Sequence, residues 1–222
     1  MITIPDPDVV FTDLGLAALG TYFAWRLGGG RPRGGWSRRG AIVMLGLASA
    51  ALWGALFHAA FPAKTATAAG FVVWLLVAFS IAVVAGSLLD MALTIFFARL
   101  APDVRPGVRR AIVLGYCSLF ACIILFVDES FTTVTRLYAP TVILMLFAAQ
   151  YQASRPGNAS WMLISGGLAL SMLAALLQQA RIAIHPVYFD HNALYHVVQA
   201  LALVLLYFGF LARRADSPTR AG

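Results

Sequence analysis

The chain has 222 residues, of which 61% are hydrophobic and only 11% charged, with a formal charge of +7 and a mean hydropathy of +0.83. A soluble domain is nearer half apolar and a quarter charged, so this composition excludes an ordinary soluble enzyme and indicates a polytopic membrane protein. Nor does the positive charge indicate a nucleic-acid partner, because the arginines lie in short loops between apolar runs, where they report topology.

A membrane helix needs about 20 mostly apolar residues. The first predicted span, 9–26, follows the acidic, proline-containing start Pro5-Asp6-Pro7-Asp8. With no basic region before it and no small-residue cleavage site, it is expected to be a retained helix rather than a removed signal peptide. A glycine- and arginine-rich loop (28–40, with Arg31, Arg33, Arg38 and Arg39) leads to the second span, 41–61, which stops at Pro62. The third span covers 68–99. At 1.5 Å per residue it is about 48 Å long, beyond a hydrocarbon core of about 30 Å, and is expected to be one helix that tilts or emerges near Asp90 to Arg99. The fourth span, 111–127, lies between the loop bearing Arg105, Arg109 and Arg110 and the acidic pair Asp128-Glu129. The fifth, 132–150, starts near Arg136 and contains Pro140 as a candidate kink. The sixth runs over 161–184 and the seventh over 192–211, ending at Arg213-Arg214. The expected fold is all-α: one domain, 1–222, forming a bundle of seven transmembrane helices.

Charge sorts the loops. Arg26, Arg31, Arg33, Arg38, Arg39, Arg99, Arg105, Arg109, Arg110, Arg155, Arg213, Arg214 and Arg220 fall on one side of a seven-span chain, thirteen of the sixteen basic residues. Lys64, Arg136 and Arg181 fall towards the other, with Asp6, Asp8, Asp13, Asp128, Glu129 and Asp190. The positive-inside rule then places the N-terminus outside and the C-terminus in the cytoplasm, in what is expected to be a bacterial inner membrane. Cys117 and Cys122 lie five apart in one apolar run, about 140° apart on a helix, which favours two buried thiols over a disulfide.

Three of the four histidines crowd into 185–199, at the loop before the last span. Ionisable groups at membrane depth are costly and mark candidate functional sites. His58, near the end of the second span, shares the same shallow layer with His185, His191 and His196. Asp13, Gln178, Gln179 and Arg181 belong to it as well. Imidazole is the commonest metal-ligand side chain, and three protein ligands with an open water position make the usual catalytic zinc arrangement. His58, His191 and His196 are the candidate zinc ligands, with Asp13 or His185 as the proton-transferring group. Asn192, Gln199 and Gln178 are candidates to support a ligand from behind. His191 and His196 are five apart, off the one-face spacing of helical zinc motifs, so the pair requires His191 to lie in the loop before the helix, with Asp190 or Asn192 as its cap. The competing reading of the same residues is structural: imidazoles hydrogen-bonded between helices, Asp13 paired with Arg181, and Tyr188, Phe189 and Tyr195 as an interfacial aromatic belt. Asp90 lies too far along its helix to join the layer, and pairing with Arg99 is one role open to it. The small residues around Ser49 and Ser165-Gly166-Gly167 are expected to pack helices. There is no GxSxG, Walker or HExxH motif.

Seven spans, a histidine ending the second and a histidine pair at the seventh resemble the superfamily of alkaline ceramidases and progestin/adipoQ receptors. The stretch from Asp190 to Gln199 is also similar to the last helix of a bacterial family of uncharacterised polytopic membrane proteins. The superfamily resemblance implies an intramembrane zinc held by three histidines and hydrolysis of a lipid amide or ester, with membrane lipids as partners. Gly54 stands where that superfamily has a serine, and four residues rather than three separate the final histidines. A receptor, sensor or accessory subunit with a structural or pH-sensitive histidine layer is the alternative expectation.

Overall fold

A computed structural model describes residues 6–29, 35–61, 64–185 and 188–213. The predicted loop residues Arg31 and Arg33, the helix stop Pro62, and the terminal Arg214 and Arg220 lie outside the described residues. Among the described residues seven α-helices follow in order: α1 (Pro7–Gly28), α2 (Gly35–Ala60), α3 (Ala68–Leu100), α4 (Pro106–Phe126), α5 (Phe131–Ala153), α6 (Ala159–Gln179) and α7 (His191–Ala212). Among the described residues there is no strand, only an isolated bridge between His185 and Phe189.

Local chemistry explains where these helices begin. Pro7 and Pro106 open α1 and α4, at positions where a missing N–H costs nothing. Thr67 and Ser130 cap α3 and α5 through their hydroxyls. The Asp190 carboxylate caps α7, accepting from the N–H groups of Asn192 (2.8 Å) and Ala193 (2.9 Å). His191 is therefore the first residue of the helix. The sixth helix is shorter than the predicted 161–184. It stops at Gln179 because Arg181 turns left-handed, with φ +54°. The Arg181 and Ile182 N–H groups then close onto the carbonyls of Gln178 (3.0 Å) and Leu177 (3.1 Å), a helix stop usually made by glycine.

Among the described residues six helices, α2 to α7, are long and apolar enough to cross a membrane. The chain is an integral membrane protein of multi-pass type. Helix α1 is outside that set because Thr12, Asp13 and Thr21 interrupt its apolar run and Arg26 ends it. It still buries Val9, Leu16, Phe23 and Leu27, and it packs against α2 and α7. One core joins α1, α2, α3, α5, α6 and α7, with Trp161, Met145, Met91 and Phe210 at its centre. A second core, around Phe57, Trp74, Phe120 and Ile124, holds α4 to the side of α3. Helices α6 and α7 approach closely through glycine: a β-carbon on Gly167 would lie 2.7 Å from Leu206, and one on Gly209 would lie 2.6 Å from Ile164. The Ser49 hydroxyl pairs with Ser80 on α3 and Ser165 donates to Gln150 on α5, so both serines join helices as expected.

The end of the bundle formed by the α2 and α4 N-termini is tied by one carboxylate. Asp90 of α3 meets Arg39 of α2 (2.9 Å) and Arg109 of α4 (2.8 Å). Thr94, one turn on, accepts from Arg109 at 3.0 Å. Asp90 is thus bound to these two arginines rather than to Arg99. Helix α4 buries only Phe120 and Ile124, so the Arg109 contact is one of its few specific anchors.

The left-handed Arg181 generates the first prediction. A residue with a β-carbon is strained there, whereas glycine is not, so Arg181→Gly is expected to stabilise the fold by about 1 kcal/mol. Denaturant or thermal unfolding in detergent would measure it, and a loss of stability would contradict this account of the α6 stop.

Candidate functional site

At the end of the bundle opposite Asp90, a cavity of about 710 Å³ opens between α1, α2, α3, α5, α6 and α7. This size suits a small-molecule ligand. Its polar layer contains Asp13, His58, His191 and His196, with Gln178, Gln199 and Asn192. Its deeper wall is apolar, formed by residues such as Leu16, Leu47, Val77 and Ile81.

His196 is the centre of the layer. It lies on α7, one turn and a half past the Asp190 cap, and faces α1. Its Nε2 is 3.1 Å from the Asp13 carboxylate, and its Nδ1 is 3.0 Å from the Thr12 hydroxyl. The side chains of His196 and Asp13 are only 10% and 6% exposed, so their polar atoms depend on each other rather than on water. The proton count is constrained. Thr12 Oγ1 lies 2.8 Å and 3.0 Å from the helical carbonyls of Asp8 and Val9. Its single hydrogen goes back into its own helix, which leaves it to accept from Nδ1–H. Nε2 and Asp13 then hold one proton between them, as imidazolium and carboxylate or as imidazole and carboxylic acid. Either way the pair is neutral as a unit, which suits its depth.

Gly54 makes room for this carboxylate. A β-carbon there would stand 2.9 Å from Asp13 Oδ2, so the serine of the resembled superfamily would press directly on the pair. The rest of the α1 N-terminus is tied in the same manner. Asp6 meets His58 Nδ1 at 3.1 Å, and Asp8 accepts from the Asp190 N–H at 3.0 Å.

The other predicted residues take different places. His191 lines the cavity with its Nδ1 3.7 Å from Asp190. Gln178 donates to Asn192 at 3.0 Å, joining α6 to α7. Gln199 donates to Ser171 at 3.1 Å. Neither Asn192 nor Gln199 supports His196 from behind; Thr12 and Asp13 hold it instead. Asp13 is likewise paired with His196 and not with Arg181. His185 is exposed in the α6–α7 connection, where its Nδ1 accepts from the Tyr188 N–H at 3.1 Å, and it does not line the cavity. Sequence reasoning missed Ser171 and Tyr138, which line the cavity, and Thr12, which holds His196 from α1. None carries a spacing signal, although Thr12 adjoins the flagged Asp13.

Among the described residues no three His, Cys, Asp or Glu side chains converge on a metal position. Both His196 nitrogens are engaged, and His58 Nδ1 is directed at Asp6. A zinc ion would have to take Nε2 from Asp13.

The α4–α5 connection forms the remaining wall. Trp74 Nε1 donates to the Glu129 carbonyl at 2.6 Å, which fixes the loop over the indole. Asp128 accepts from the Thr133 and Ser130 hydroxyls and from the Ser130 N–H. These hydrogen bonds, Thr133 first, hold its carboxyl below the usual carboxylate range.

Two predictions follow from these contacts. Gly54→Val is expected to cost about 2–3 kcal/mol by driving Asp13 off His196, read from unfolding in detergent; a neutral effect would mean the pair does not depend on this gap. Asp128, ionised more readily folded than unfolded, contributes stability above the ordinary carboxylate pKa of about 4. That contribution disappears as pH falls through the lower folded value. Asp128→Asn should therefore flatten the acid side of the stability profile, and an unchanged profile would contradict the cause assigned to the shift.

Comparison with curated proteins and with solved structures finds no match. A family model does match, over residues 9–215, from within α1 to beyond the end of α7. The chain belongs to that family, the family of unknown function DUF6962.

Proposed function

We propose that this protein is a membrane receptor or sensor that binds a small amphiphile in the cavity beneath the α1 and α7 N-termini. The supporting observation is the neutral Asp13–His196 pair on the cavity wall, whose shared proton and whose tie between two helices a ligand can perturb. An intramembrane ionisable pair facing a cavity is a functional feature by default. In this reading α1 is the seventh span and the cavity opens on the non-cytoplasmic side of a bacterial inner membrane. The arginines at the far end, including Arg26, Arg38, Arg39, Arg109 and Arg213, support that orientation. Occupancy would be signalled by a shift of α1 against α7, the two elements that the pair joins.

A second reading, a zinc-dependent hydrolase of a lipid amide or ester, is favoured by one observation: His58, His191, His196 and Asp13 all line the same cavity. The two readings separate on composition of the purified protein. Native mass spectrometry in a maltoside detergent, without chelators, should find one retained amphiphile per chain and no stoichiometric zinc. Ala175→Phe, which fills the cavity from α6, should release the amphiphile. One zinc per chain, lost in both His58→Ala and His196→Ala, would overturn the receptor reading in favour of the hydrolase.

A further inference from the structure

The strained stop of α6 carries an arginine where glycine would serve the backbone better. That arginine faces the cavity. Arg181 is exposed and lines the cavity mouth, and among the described residues its guanidinium makes no hydrogen bond or ion pair. A guanidinium presented this way is a fork for phosphate or carboxylate.

The α4–α5 connection supplies the opposite chemistry. Asp128 is occupied by three donors, but the Glu129 side chain is exposed at the same cavity. Trp74, whose Nε1 donates to the Glu129 carbonyl, has its ring 6.2 Å from Phe131 and 5.6 Å from Phe57 between centroids. All three aromatics line the cavity. A carboxylate beside aromatic faces is a site for an ammonium group, above all an alkylated one. Below both charged walls the lining turns apolar down to Leu47 and Ile81. Along α2, the step from His58 to Leu47 is about 16 Å at 1.5 Å per residue.

We infer that the ligand is a zwitterionic amphiphile. Its anionic group pairs with Arg181, its ammonium group lies between Glu129 and the Trp74–Phe131 aromatics, and its apolar chain runs towards Ile81. This rests on the ligand-binding reading above and adds the charge pattern of the ligand. It also gives the strained arginine a purpose that the helix stop does not.

The test uses three probes that share one tail: octylphosphocholine, octyl phosphate and octyltrimethylammonium. Each is titrated into the full chain in maltoside micelles, and saturable quenching of tryptophan fluorescence reports binding. Octylphosphocholine is expected to bind about tenfold more tightly than either singly charged probe. Arg181→Gly should weaken octylphosphocholine and octyl phosphate about tenfold and leave octyltrimethylammonium unchanged. Glu129→Gln should weaken octylphosphocholine and octyltrimethylammonium and leave octyl phosphate unchanged. Melting temperatures at or above that of the natural protein keep lost binding distinct from lost folding. Equal affinity for all three probes, or octylphosphocholine binding that survives both substitutions, overturns the zwitterion assignment. No saturable binding of any probe also overturns it, and it does so alone if Ala175→Phe still releases a retained amphiphile. If no amphiphile is retained either, the ligand-binding reading falls with it.

Discussion

The structure depends on a buried imidazole held between two groups of the same neighbouring helix. His196 reaches from α7 to Thr12 and Asp13 of α1, and each of the three satisfies a polar atom that is largely shielded from solvent. This contact explains why α1, the helix outside the six apolar enough to cross a membrane, belongs to the bundle. Helix α1 is anchored by polar bonds at its first two turns, Asp6 to His58 and Asp8 to the Asp190 backbone, as well as by its apolar face. Removing one partner would strand the other in a low-dielectric setting, which costs far more than the pair itself contributes.

The two ends of the bundle solve the same problem differently. At one end, a single carboxylate, Asp90, draws together arginines from two helices, with side chains about a quarter exposed. That cluster carries net positive charge and sits among other arginines, as a structural clamp within a basic surface. At the other end the polar groups are distributed over four helices around open space. Packing explains the first arrangement fully. The second leaves a cavity that a merely structural role for the histidines would not require.

Much of this was legible in the sequence because membrane helices impose long apolar runs. The seven helices appear close to their predicted positions, and the shared depth of Asp13, His58, His191 and His196 follows from counting turns from the helix ends. Azimuth was not legible. Counting turns gives depth but does not say which face of α7 meets which face of α1, so Gln199 and Asn192 looked like partners of His196 when Ser171 and Gln178 hold them instead. Thr12 was invisible for the same reason. His185 shared the sequence cluster but not the cavity, since the stop at Arg181 ends α6 early and leaves His185 in an exposed connection. A residue of the wrong type for its backbone, Arg181, could be recognised only once its φ angle was known.

The central claim is that Asp13 and His196 act as one coupled unit. A double-mutant cycle with Asp13→Asn, His196→Gln and the pair together, measured by reversible unfolding in mixed micelles, tests it most directly. The account predicts a coupling energy of about 1–3 kcal/mol, with the double variant more stable than the sum of the single losses implies. Additive losses, with no coupling, would contradict it, and would mean that the two residues are held independently by their own helices.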